Sequence, residues 1–181
     1  AYWLTGDEKY ADVFVSHLED WIDSNPPKLG VNWLSSLEVA FRSISWIWAY
    51  YFFRESGRMG SDLLARLLKL LYLNARHIET HLSTYSSPNT HLTGEALGLY
   101  LIGRFLSPAA GSERWRKKGR EILLGAIEWQ IRGDGGYVEQ ATLYHRYTAD
   151  IYLAFQALSE GEGAALGEPF ESRLSATLRF L

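Results

Sequence analysis

Apolar side chains recur three and four positions apart along almost the whole chain, and the alternation of a half-buried strand is sustained nowhere, so the pattern predicts an all-α protein. Seven helical segments follow from it. The first opens at a Thr5-Gly6-Asp7-Glu8 capping box, carries Tyr10, Val13, Phe14, His17, Leu18 and Trp21 on one broad face, and stops at Asn25-Pro26-Pro27. The second runs from about Ser35 to Arg54 and ends at Ser56-Gly57. Its Leu37, Phe41, Ile44, Trp48 and Tyr51 form a stripe that Trp46, Ile47, Tyr50 and Phe52 widen until the helix is nearly apolar all round, which predicts an interior position. The third, from about Ser61 to Leu82, has a leucine-rich stripe of Leu63, Leu67, Leu70, Leu71 and Ile78, and gives way to a polar loop from Ser83 to His91.

A fourth helix is expected from about Thr93 to Leu106, and a fifth, capped by Ser112, continues to about Ile131 before the reversal at Arg132-Gly133-Asp134-Gly135-Gly136. The sixth runs from about Leu143 to Ser159. A last partial helix starts near Pro169, after the glycine-rich linker from Gly161 to Gly167. Helices of this length on short loops pair antiparallel, and the absence of a repeat of about 34 residues weighs against a tetratricopeptide array. The expected fold is therefore all-α, with helical hairpins forming part of an (α/α) toroid or solenoid.

Composition narrows the partners. A net charge of -3 argues against nucleic acid or an anionic membrane surface as partner, and the longest aromatic run, Ile44 to Phe53, falls short of the ~18 residues a membrane span needs. No cysteine is present, which excludes disulfides and thiolate metal sites and leaves the compartment undetermined. The chain starts at Ala1-Tyr2-Trp3 without an initiator Met or a leader and ends on Leu181 within a helical pattern, so the expectation is a fragment of a larger protein, incomplete at both ends.

Two stretches crowd polar and titratable groups beside helix ends where folding alone does not ask for them: Ser86-Ser87-Pro88-Asn89-Thr90-His91-Leu92-Thr93-Gly94-Glu95 and Gln140-Ala141-Thr142-Leu143-Tyr144-His145-Arg146-Tyr147. Pro88 pins its own φ and presents Asn89 and His91 ahead of a helix start, whose free N–H groups and positive dipole end favour an anion. The plain alternative makes Asn89 a turn or capping residue. Tyr144, His145, Arg146 and Tyr147 share one helical turn, and a phenol beside cations is better placed to act as a base; alternatively the tyrosines pack while His145 and Arg146 face water. His77 and His81, four apart, invite a metal, yet Glu79 stands on another face from the one a zinc-protease helix requires. Glu38 and Arg42 at i,i+4 read as a helix salt pair that also lines a cleft with Trp33. Asp134 and Glu139 are a carboxylate pair of the kind a glycosidase uses.

Taken together, Asn32-Trp33 with Glu38, Arg42 and Ile44-Ser45-Trp46, the Ser86 to Tyr100 block, Asp134-Gly135-Gly136-Tyr137-Val138-Glu139-Gln140 and Tyr144-His145-Arg146-Tyr147 resemble the heparinase II/III-like polysaccharide lyases. The resemblance spans most of the chain in order. It implies the N-terminal α/α-toroid domain of an enzyme whose C-terminal β-sheet domain lies outside this chain, a periplasmic or secreted setting, no cofactor in this part, no metal, and an acidic polysaccharide as substrate.

It further implies β-elimination at a uronate, with Asn89 or His91 neutralising the carboxylate and Tyr144 exchanging protons with C5 and the leaving oxygen. Trp33, Glu38, Arg42, Glu95, His145, Arg146 and Tyr147 become substrate-binding residues, with Trp33 offering a ring face for a sugar. Because the family's remaining histidine sits in the β domain, the fragment alone is expected to be inactive. A non-catalytic glycan- or protein-binding helical module and a glycoside hydrolase are the competing readings.

Overall fold

Two helix starts fall where the N-cap side chain meets the free N–H groups of a first turn. Ser35 accepts the Glu38 amide at 3.3 Å and opens α3 (Ser36–Phe53), and Asn89 accepts the His91 amide at 3.1 Å and opens α5 (Thr90–Phe105). The computed structural model describes residues 1–85 and 88–181, so the Ser86-Ser87 pair of the loop motif lies outside the described residues. Around these two helices stand α1 (Tyr2–Thr5), α2 (Lys9–Ser24), α4 (Ser61–Thr80), α6 (Ser112–Gln130), α7 (Thr142–Glu160) and α8 (Phe170–Phe180). Eight α-helices, two single-turn 3-10 helices (Val31–Trp33 and Arg54–Ser56) and an isolated Ile131–Tyr137 bridge are the regular structure among the described residues. No helix among the described residues is long and apolar enough to cross a membrane.

The expected capping box at the first boundary is not formed. Gly6, at φ +65°, closes the short α1, and it is Asp7 that accepts the Lys9 amide at 3.0 Å ahead of α2. The fourth expected helix starts three residues early, at Thr90 rather than Thr93.

Which helix is interior also differs from expectation. Trp48, Tyr51 and Phe52 of α3 are about half exposed, whereas thirteen of the sixteen residues of α5 are buried. The reason is side-chain size. A methyl group on Gly98 would lie 2.6 Å from the Ala40 Cβ of α3, and one on Gly119 of α6 would lie 2.5 Å from the Ala96 carbonyl of α5. Small residues let α3 and α6 close on both sides of α5, and the bulky aromatics of α3 are left at the rim, where Trp48 and Trp3 pair with Phe52.

Two apolar clusters flank the central helix, one around Leu67, Leu71, Ile47 and Trp115 and the other around Leu123, Ile127, Tyr152 and Phe155. Successive helices from α3 to α7 alternate in direction as hairpins, the arrangement of an α/α toroid. That alternation gathers the starts of α3, α5 and α7 and the ends of α4 and α6 at one end of the bundle. The hydrogen bond from the Ser36 hydroxyl to the His81 carbonyl at 3.0 Å ties two of them there.

Candidate functional site

Both motif stretches singled out in the sequence begin at that end. Asn89 is half-buried, and its amide orientation is fixed by what surrounds it. Its Oδ1 accepts the His91 backbone N–H at 3.1 Å and faces His91 Nδ1 at 3.2 Å, while its Nδ2 donates to Glu139 Oε1 at 2.9 Å. Turned over, the amide would set NH₂ against an N–H and oxygen against a carboxylate. One Asn89 amide hydrogen is thus left uncommitted, and the exposed His91 ring keeps its Nε2 toward solvent.

The loop carrying Asn89 is clamped from two directions. Gln130, fully buried at the end of α6, donates from Nε2 to the Pro88 and Asn89 carbonyls, both at 3.0 Å, and its Oε1 accepts from the Tyr152 hydroxyl at 2.9 Å. Burial lifts Tyr152 well above the ordinary phenol range, which keeps that hydroxyl a donor. From the other side the Glu139 carboxylate accepts from the Thr90 hydroxyl, from the Thr90 amide at 3.4 Å and from the Tyr137 hydroxyl at 2.9 Å. Tyr137 is pushed up to about 12, first by burial and then by that carboxylate. Glu139 therefore serves as the anion at the positive end of α5, and Asp134 caps its own turn by accepting the Gly136 amide at 2.9 Å. Neither is arranged as a hydrolase acid or base.

Two residues after Glu139, Ala141 opens α7, and Tyr144 stands in the first turn, 44% exposed. One turn further, Tyr147 packs on Phe41 of α3 with ring centroids 5.4 Å apart, and Phe41 in turn lies against Gly94 of α5. Burial, then the Glu38 carboxylate, push the Tyr147 hydroxyl up to about 12. His91 precedes Gly94 by one turn as Tyr144 precedes Tyr147, so from one shared contact both helices rise toward the same end. Glu38 and Arg146 are exposed.

Four expected substrate contacts are placed differently. Trp33 is no sugar platform: it is 4% exposed, with the Arg42 guanidinium 4.8 Å from its ring and His77 edge-on at 5.3 Å. Arg42 makes no salt bridge with Glu38 among the described residues. Its guanidinium lies instead among Trp21, Trp33 and Trp46, with one N–H on the Asn32 carbonyl, because cation–π contact with three indoles offsets the loss of water. Burial pulls it down to about 10, against the pull of Glu38, so it stays charged at neutral pH. His145 is 5% exposed, stacked on Phe180 at 5.0 Å and set against the Thr177 carbonyl, which makes it the packing surface for α8. Finally, Glu95 is 1% exposed, and both its oxygens are taken by Ser83, from the amide at 2.7 Å and the hydroxyl at 2.8 Å.

Glu95 ties the loop after α4 to α5, and burial raises its carboxyl above the ordinary range. The folded state therefore holds this proton more tightly than the unfolded chain does. Stability from this group is complete below the unfolded carboxyl range and is lost as pH rises through the elevated folded value. Glu95→Gln satisfies the same two partners without a charge, its carbonyl accepting the Ser83 amide and its NH₂ donating to the hydroxyl. Chemical denaturation across pH 4 to 8 is expected to show a flatter stability profile for the variant, with no loss at neutral pH; an unchanged slope would remove Glu95 as its source.

The His77 and His81 rings stack face to face at 4.4 Å, which holds their nitrogens in neighbouring planes instead of turning them on one ion, and His81 Nδ1 sits on the His77 carbonyl at 2.9 Å. Among functional residues, Gln130 was not anticipated. The signal was present: it continues the stripe of Leu123 and Ile127, a polar amide on a buried face.

Known proteins resemble the chain in sequence and in fold. The family model described as Heparinase II/III N-terminus matches residues 1–179. The chain is 27% identical over 183 residues to the heparin-sulfate lyase of Bacteroides thetaiotaomicron, covering 99% of the chain and 25% of that protein. To the heparin-sulfate lyase of Pedobacter heparinus it is 31% identical over 157 residues, covering 84% of the chain and 23% of that protein. Among solved structures, a crystal structure of heparinase III superposes with a TM-score of 0.83 at 23% identity, over 99% of this chain and 28% of that one, a likeness of fold. A heparan sulfate lyase from Pedobacter heparinus superposes with a TM-score of 0.77 at 26% identity, over 99% and 29%. The chain spans about a quarter of the length of the curated relatives it matches. With the family model matched over nearly all of its length, the chain belongs to the heparinase II/III family and carries that family's N-terminal region.

Proposed function

We propose that the whole protein is a polysaccharide lyase that cleaves a uronic-acid polymer by β-elimination, with Asn89 and Tyr144 as its catalytic residues on this chain. The observation that carries the reading is the double clamp on Asn89. Gln130 holds its backbone carbonyl and Glu139 its side-chain amide, leaving one N–H of that amide free at the start of α5, the end of the bundle at which Tyr144 also emerges. Removing the C5 proton places charge on the uronate carboxylate, and a donor already aimed at that charge is worth roughly 3 to 4 kcal/mol of barrier. Asn89 supplies the donor, and His91, whose Nδ1–H faces Asn89 Oδ1, adds a second from Nε2 when its ring is in the imidazolium form. Tyr144, acting as the phenolate, takes the C5 proton, the electron pair becomes the C4–C5 double bond, the C4–O bond breaks, and the leaving oxygen takes up the proton that Tyr144 returns, which restores the phenolate.

Glu38, Arg146 and Tyr147 line the approach between α3 and α7. The heparin-sulfate lyase relatives make a sulfated, uronate-containing glycan the first substrate to try. No cofactor enters these steps. By the family resemblance a further histidine belongs to a β-sheet domain, so the 181-residue chain alone is expected to be inactive.

Elimination leaves a conjugated unsaturated uronate, and hydrolysis does not. Incubating full-length protein with heparan sulfate, alginate and unsulfated glucuronate polymers should produce ultraviolet absorbance in step with new chain ends. New reducing ends without absorbance would overturn the lyase reading in favour of a hydrolase, and no cleavage of any polymer would favour a binding module.

A further inference from the structure

One cluster of cations takes no part in the site above. Lys28, from the loop after α2, and Arg76, His77 and His81, from the last turns of α4, line a pocket of about 310 Å³ together with Trp33 and Thr80. That volume is near the lower end, about 300 Å³, of pockets that hold small ligands. No carboxylate lines it, and neither Lys28 nor Arg76 forms an ion pair among the described residues. Behind it lies Arg42, its guanidinium 4.8 Å from the Trp33 ring and its Nε and Nη2 buried without partners.

Two more polar atoms, buried behind the same wall, are unsatisfied. The Trp33 indole N–H and His77 Nε2 are both buried with no hydrogen-bond partner among the described residues, and Trp33 is 4% exposed. Native interiors rarely leave such groups unpaired, and an indole N–H can only donate. Unpaired cations over an orphaned indole N–H, with no carboxylate in the lining, describe a site suited to an oxyanion.

We propose that this pocket is an accessory subsite that binds a sulfo or carboxylate group of the polysaccharide, on a sugar other than the one that reacts. This rests on the lyase reading for the identity of the polymer. The pocket stands at the same end of the bundle as Asn89. His81 ends α4 and is tied to the start of α3 through Ser36, and Ser83, two residues on, is tied to Glu95 in the second turn of α5.

The electrostatics point the same way. His77 is held below its ordinary range by burial first, then by His81, Arg42 and Lys28. A bound anion counters those cations, so binding is accompanied by proton uptake and tightens toward acid pH.

The test uses full-length protein and the Lys28→Ala, Arg76→Ala double variant. Inorganic sulfate is titrated while the His77 and His81 ring resonances are followed, a readout that does not require turnover. Saturable shifts and a raised His77 midpoint are expected, both lost in the variant. In kinetics with heparan sulfate the loss is expected in KM, about tenfold, rather than in kcat, because the contact is made equally in ground and transition states.

A KM gap that disappears on fully desulfated polymer identifies the sulfo group, and one that persists identifies the carboxylate. If no polymer is eliminated yet sulfate shifts the two rings saturably, the lyase reading falls and the oxyanion site stands. If elimination proceeds but the variant matches the wild type in KM and in the titration, the subsite is wrong. A thermal midpoint for the variant near that of the wild type shows that the changes come from binding.

Discussion

Replacing Tyr144 by phenylalanine in the full-length protein is expected to lower kcat on its polymer about a hundred- to ten-thousandfold while leaving the folding midpoint in place. The ring stays and the titratable hydroxyl goes. Tyr144 is 44% exposed and its hydroxyl bonds nothing among the described residues, so the fold loses no contact with it. Product absorbance measures the rate, and a thermal melt on the same sample measures the fold. A kcat within about twofold of wild type would remove Tyr144 from the chemistry, and Tyr147, half-buried against Phe41 and held protonated beside Glu38, would not replace it as a base.

The second large effect is expected at Asn89, where capping and catalysis meet in one side chain. Asn89→Ser keeps an oxygen to accept the His91 amide but removes the N–H that would meet the substrate carboxylate. Asn89→Ala removes both. The serine variant should lose about a hundred- to a thousandfold in kcat with stability near wild type, and the alanine variant should lose a similar factor plus about 1 kcal/mol of stability. Should the serine variant retain full turnover, Asn89 is a cap and nothing more, and His91 becomes the only donor left at that position.

Periodicity made most of the helices readable, since each buries a face it cannot bury alone. What escaped was set by residues far away in the chain. The start of α5 was expected at Thr93, but Glu139, fifty positions on, holds the Thr90 amide and hydroxyl and draws the first turn back to Asn89. Trp33 reads as an exposed platform until Arg42 from α3 and His77 from α4 close over it. The aromatic density of α3 marked it as central, yet density near 0.75 in an interior is reached by interlocking small against large, and the glycines of α5 decided the matter.

His145 illustrates the same limit from the other side. In a motif of four polar or aromatic residues on one turn, nothing local tells which side chain α8 will cover. The motif as a block falls at one end of the bundle, and only the packing sorts its members into wall and core.

The enclosure of α5 has a consequence for how such a protein changes over time. The amide proposed to meet the reacting sugar caps the helix with the least room for substitution, so the position that presents it is held in place by the rest of the fold. Lys28 and Arg76 sit on a loop and an outer helix, where replacement costs the architecture little. Drift in the preferred glycan is therefore expected to accumulate on that margin, leaving the reaction itself untouched.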